Sequence, residues 1–100
     1  MKMSIIYWRD IPSQVVAKAG RKASKTLLPD RFQEAIDRAA MRSKAHDSDA
    51  YLQGWRKSDP LTVTGDGAQA AADKSAELAA AFTDDLLEKF VKNDGWEPDQ

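Results

Sequence analysis

The chain reads as one small α+β domain, a three-stranded sheet with helices packed on one face, in the order β-β-α-α-β-α. Three observations predict this. A β-branched and aromatic run opens the chain, at Ser4-Ile5-Ile6-Tyr7-Trp8-Arg9. Apolar residues then recur at helical spacing in two places, residues 32–40 and 68–92. A short alternating segment, Leu61-Thr62-Val63-Thr64, lies between them. One hundred residues leave too little core for two domains, so residues 1–96 are read as one unit and 97–100 as a frayed tail.

The opening strand meets Asp10-Ile11-Pro12-Ser13, where proline cannot donate to a ladder and favours a turn. Gln14 to Ala19 then alternates, with Val15, Ala17 and Ala19 on one face and Val16 and Lys18 on the other, so the two segments form a hairpin. Gly20 is either a bulge or the end of that strand, since glycine tolerates a positive φ. Arg21 to Leu28 is basic and lacks clean periodicity. Asp30 reads as an N-cap completed by Gln33 in a capping box, followed by the stripe Phe32, Ala35, Ile36, Ala39 and Ala40. The run Asp47-Ser48-Asp49 offers fresh caps for a short second helix carrying Tyr51, Leu52 and Trp55 on one side, ended by Asp59-Pro60. Gly65-Asp66-Gly67 is a turn. From Ala68 to about Lys92 the fourfold spacing of Leu78, Phe82, Leu86 and Phe90 predicts one long helix, closed by an αL cap at Asn93-Asp94-Gly95. Trp96 is placed back on the end of that helix.

The formal charge is −1, yet it is unevenly spread. Residues 1–44 hold ten Lys/Arg against four Asp/Glu, a balance of +6; residues 45–100 hold five against twelve, a balance of −7. Such a split either steers a partner or pairs the two halves with each other. With no cysteine, disulfides, thiolate metal sites and cysteine nucleophiles are excluded together. The first ten residues lack the apolar length and cleavage site of a signal peptide, and no apolar run approaches a membrane span, so a cytoplasmic location without membrane attachment is the expectation.

The usual chemistry finds little footing. His46 is the only histidine and is read as an exposed loop residue, because a zinc site built on helices needs a second ligand of its kind. A calcium loop starting at Asp47 would need glycine and glutamate where Leu52 and Ser58 stand. Gly65 and Gly67 fall short of a dinucleotide fingerprint, and Asp84 and Asp85, adjacent on a helix, point apart. No catalytic, metal or cofactor-binding residue is assigned, and no cofactor is implied.

Two surfaces are singled out instead. A partner-binding group is read at Trp8, Arg9, Pro12, Gln14 and Trp96, because a domain this small rarely buries three tryptophans and tryptophan is favoured at interface hot spots. A basic patch is read at Lys18, Arg21, Lys22 and Lys25, beside Tyr7 and Trp8; basic residues with exposed aromatics on a sheet are what single-stranded nucleic-acid binders use. A protein partner is the first reading and nucleic acid the alternative. Self-association is compatible with both.

The stretches Ile6-Tyr7-Trp8-Arg9-Asp10-Ile11-Pro12-Ser13-Gln14-Val15, Leu28-Pro29-x-Arg31-Phe32, Ala35-Ile36-Asp37-x-Ala39-Ala40-Met41, Asp47-x-Asp49-Ala50-Tyr51-Leu52-x-x-Trp55 and Gly95-Trp96 together resemble the bacterial family called the virulence-factor domain. The resemblance covers nearly the whole chain. It implies an accessory protein and an association with one-carbon and methyl-transfer proteins, and it carries over no catalytic residue.

Overall fold

The computed structural model describes residues 1–45 and 49–98. His46, Asp47 and Ser48, and with them the reading of a loop histidine and of a cap at Asp47 or Ser48, lie outside the described residues.

The α+β class holds, with five strands among the described residues where three were expected. Strand β1 (Lys2–Trp8) pairs antiparallel with β2 (Ile11–Ala19), which pairs with β3 (Lys22–Leu27). The segment expected to be irregular is therefore a strand, joined to β2 by a two-residue loop in which Gly20 takes φ +60. None of its six side chains is buried, and Ala23, Lys25 and Leu27 are exposed, so no apolar alternation marks it. After α1 (Asp30–Arg42) and α2 (Asp49–Gly54), strand β4 (Trp55–Lys57) and strand β5 (Leu61–Thr62) both return along β1. Between them Ser58 holds the ladder: its N–H donates to Ile5 O (2.9 Å) and its Oγ accepts from Ile5 N (2.8 Å). Asp59 and Pro60 can then bulge without orphaning the edge of β1. The sheet order is β3-β2-β1-β4, with β5 on the same edge as β4.

The hairpin turn also differs from its expectation. Trp8 faces Ile11 across a loop of two residues, Arg9 and Asp10, and Pro12 lies inside β2 at the point where the register with β1 shifts between Ile6 and Tyr7. A central strand tolerates proline only at such an irregularity, where no ladder donor is required.

Helix α1 presents the predicted stripe, with Phe32, Ala35, Ile36, Ala39 and Ala40 buried. Its N-cap position is Pro29 rather than Asp30, and no side chain caps it; Asp30 stands in the first turn, and Gln33 donates to Asp37 instead. The long helix expected after residue 68 is two, α3 (Gly67–Ala81) and α4 (Asp84–Lys92). Asp66 caps α3 through Ala68 N (3.0 Å), and Thr83 caps α4 through Leu86 N (3.2 Å). Arg31 bridges the break, donating to the carbonyls of Phe82 and Ala79 and standing 3.4 Å from Asp84. One guanidinium thus satisfies orphan acceptors of α3 and approaches the first acid of α4.

Two clusters form the core. Met3, Ile5, Val15, Ala17 and Ala71 bind α3 to one face of the sheet. Trp8, Ile11 and Leu28 join the buried faces of α1 and α4 at the hairpin turn. Leu78 packs against both clusters.

Candidate functional site

The residues expected to meet a partner at the hairpin divide into buried and accessible. Trp8 and Pro12 lie in the core, Trp8 with no exposed surface at all, which corrects the reading of them as contact residues. The cause is a slot shaped for the indole. Trp8 Nε1 donates to Tyr51 O (2.8 Å), and its ring lies 5.8 Å from that of Tyr51. A Cβ placed on Gly54 would fall 2.5 Å from the indole nitrogen, and one on Gly95 would fall 2.8 Å from the far edge of the ring. Two glycines on distant segments therefore exist where Trp8 needs room.

Arg9 and Trp96 cap this slot. The Arg9 guanidinium sits 4.6 Å from the Trp8 ring and 5.3 Å from the Trp96 ring, and its Nη1 donates to Asp94 O (2.7 Å). Arg9 adopts φ +54, a conformation that costs a non-glycine residue roughly 1 kcal/mol or more. Asp10 completes the clasp: Oδ1 accepts from Arg56 (3.0 Å) and Oδ2 from Glu97 N (2.7 Å). The start of the expected frayed tail is thus tied to the hairpin. Trp96 remains half exposed.

The second accessible surface is the sheet itself. Strand residues that face each other share a side, so Lys2 with Lys18, Ser4 with Val16, and Ile6 with Gln14 point one way. Ala23, Lys25 and Leu27 extend this face over β3, and Lys57 extends it beside Ile6. Helix α3 covers the opposite face. On this outer face Ile6 and Val16 stand outside both core clusters, and Lys18, Lys25, Leu27 and Lys57 are exposed. All five strands hold six cations and not one carboxylate.

Of the predicted basic patch, Lys18 and Lys25 meet on this face, Arg21 lies in the loop beyond it, and Lys22 turns to the other side. Lys2, Lys57 and Leu27 belong with them and escaped the sequence reading, because strand β3 and the returning β4 supply the register that gathers them. The aromatic half of the nucleic-acid reading does not reach this face. Trp8 is internal, and Tyr7 lies under the Arg56 guanidinium at 4.4 Å from its ring.

A concavity of about 460 Å³ opens below the clasp, with Tyr7, Phe82 and Phe90 among its walls and Asp10, Arg56 and Glu97 at its rim. Asp10 and Arg56 already bind each other there. Among the described residues no group of three or more His, Asp or Glu side chains is placed to hold a metal ion, and no helix is long and apolar enough to cross a membrane. Among the described residues one ionisable pair has displaced equilibria, and it joins two helices: a hydrogen bond from Arg38 on α1 holds the Glu88 carboxyl on α4 below the ordinary glutamate range.

Residues 6–91 match a family model described as virulence factor. No curated protein and no solved structure matches the chain.

Proposed function

The chain belongs to the virulence factor family, and from that premise we propose that it is a non-enzymatic interaction domain that docks a partner protein on the outer face of its sheet. The observation that carries this reading is the composition of that face. Lys2, Lys18, Lys25 and Lys57 surround Ile6, Val16 and Leu27 with no carboxylate in register. Lys18, Lys25 and Lys57 take no acidic partner among the described residues. The arginines of α1 differ: Arg31, Arg38 and Arg42 each reach an acid of the C-terminal helix or its cap. A face of unpaired cations around aliphatic side chains suits an acidic protein surface with an apolar centre. Neither Trp8, which is internal, nor Tyr7, which lies under Arg56, is free to stack a nucleobase there.

The test is capture from the native extract by the immobilised domain, repeated with Lys18→Glu/Lys57→Glu and with Arg21→Glu as a loop control. A partner held at near-stoichiometric level by the wild type and the control, and lost by the double variant at unchanged melting temperature, supports the reading. Equal capture by all three proteins sinks it. So does replacement of the captured protein by nucleic acid that nuclease treatment removes.

A further inference from the structure

The outer face ends in an edge whose backbone is free. Strand β3 is the last in the sheet order. Leu28 N donates to Ser13 O (3.1 Å), which makes that facing pair a bonded one. Counting back by twos along the regular β2–β3 register, Lys22, Ser24 and Thr26 turn their N–H and C=O groups toward β2. Ala23, Lys25 and Leu27 turn theirs outward, and none of these groups finds a partner among the described residues. All three residues are exposed, Leu27 by 72%. The residues with free backbone groups are the same three whose side chains lie on the lysine-bearing face.

Resting on the sheet-face reading above, we infer that the partner contributes an acidic, extended segment that adds to β3 as a sixth strand. Its backbone pairs with Ala23, Lys25 and Leu27. Carboxylates at alternate positions then fall over Lys25 and, one strand further in, Lys18, while an apolar side chain covers Leu27. Charge decides the occupant. A second copy of this chain would bring a strand that carries Lys22 and Lys25 and no acid alongside the same two lysines, with no attraction between their side chains. An acidic strand meets the same residues with attraction.

The experiment uses a fluorescein-labelled octapeptide that carries two glutamates and then a valine at successive alternate positions with threonine between them, its counterpart with lysine in place of glutamate, and a thymidine oligonucleotide of similar length. The glutamate peptide should bind at low salt and weaken as salt rises. On saturation, amide exchange at Ala23, Lys25 and Leu27 should slow by about tenfold or more. Ala23→Pro removes one outward N–H while keeping every lysine and every bond to β2, and should weaken binding by about tenfold. If that variant fails to fold, Lys25→Glu, on an exposed side chain, should produce a loss of similar size. Peptide binding that leaves these three amides unprotected, or that a folded Ala23→Pro variant does not weaken, overturns strand addition while docking on the sheet face stands; binding that Lys25→Glu does not weaken overturns both. Failure of the glutamate peptide to bind while the lysine peptide or the oligonucleotide does overturns the acidic segment as the ligand. Binding of none of the three probes also overturns the inference.

Discussion

Trp8 is one of three tryptophans, many for so small a core. The structure resolves this by giving it a dedicated slot, and the slot accounts for residues far apart in the chain: Gly54, Gly95, Tyr51 and the stacked Arg9. Removing so large and fully buried a ring should cost about 3–5 kcal/mol, comparable to the whole stability of a small domain. Trp8→Ala would therefore unfold the protein, and its loss of any activity would say nothing about an interface. The informative substitutions are at the glycines. Gly54→Ala places a methyl 2.5 Å from the indole nitrogen, so it should destabilise by about 1–3 kcal/mol and shift the Trp8 fluorescence. Gly95→Ala adds the strain of φ +91 to a similar clash and should cost at least as much. Thermal melts followed by circular dichroism check both. Unchanged melting temperatures would mean that the slot is looser than the contacts around it require.

Among the elements, the break between α3 and α4 makes the sharpest prediction. Arg31→Met keeps an unbranched apolar stem but leaves the carbonyls of Phe82 and Ala79 without their donor. The variant should lose about 1–3 kcal/mol, and amide exchange across residues 82–87 should quicken. Thr83→Ala removes only the cap and should cost about 0.5–2 kcal/mol. The break was masked in the sequence by Leu78, Phe82, Leu86 and Phe90, whose spacing suits one continuous helix. Phe82 keeps its apolar role at the corner, packing 5.9 Å from Phe32 and 5.1 Å from Phe90, so periodicity persists through the interruption. The signal for a new helix was present in Thr83-Asp84-Asp85, a cap followed by acids. The hairpin and the α1 stripe were legible because burial there follows local period. Strands β3 and β4 were not, since an exposed edge strand and a three-residue return strand owe their existence to pairing rather than to pattern. The same gap hid the outer face, as its lysines come from four strands that only register brings together.

At the scale of the molecule the charge split is met in part by pairing of the two halves. The arginines of α1 pair with the acids of α4 and its cap, Arg31 with Asp84, Arg38 with Glu88 and Arg42 with Asp94, which ties the basic half to the acidic half. The lysines of the sheet stay unspent. These two populations respond differently to solution conditions. Glu88 is held below its ordinary pKa, chiefly by the hydrogen bond from Arg38, so its contribution is present above the unfolded value and fades as pH falls through the lowered one. Glu88→Gln should therefore flatten part of the acid limb of the stability curve and leave neutral pH nearly unchanged. Arg38 is raised by the same bond and stays charged throughout that range, so it adds no pH dependence there. Salt separates the populations further. The three bridges are solvent-exposed and each is worth about 0–1 kcal/mol, so raising ionic strength should lower the melting temperature by only a few degrees. Docking on the lysine face draws on several unpaired cations at once and should weaken by an order of magnitude or more over the same titration. A partner that stays bound at high salt would show that Ile6, Val16 and Leu27 carry the contact and that the lysines serve only to orient it.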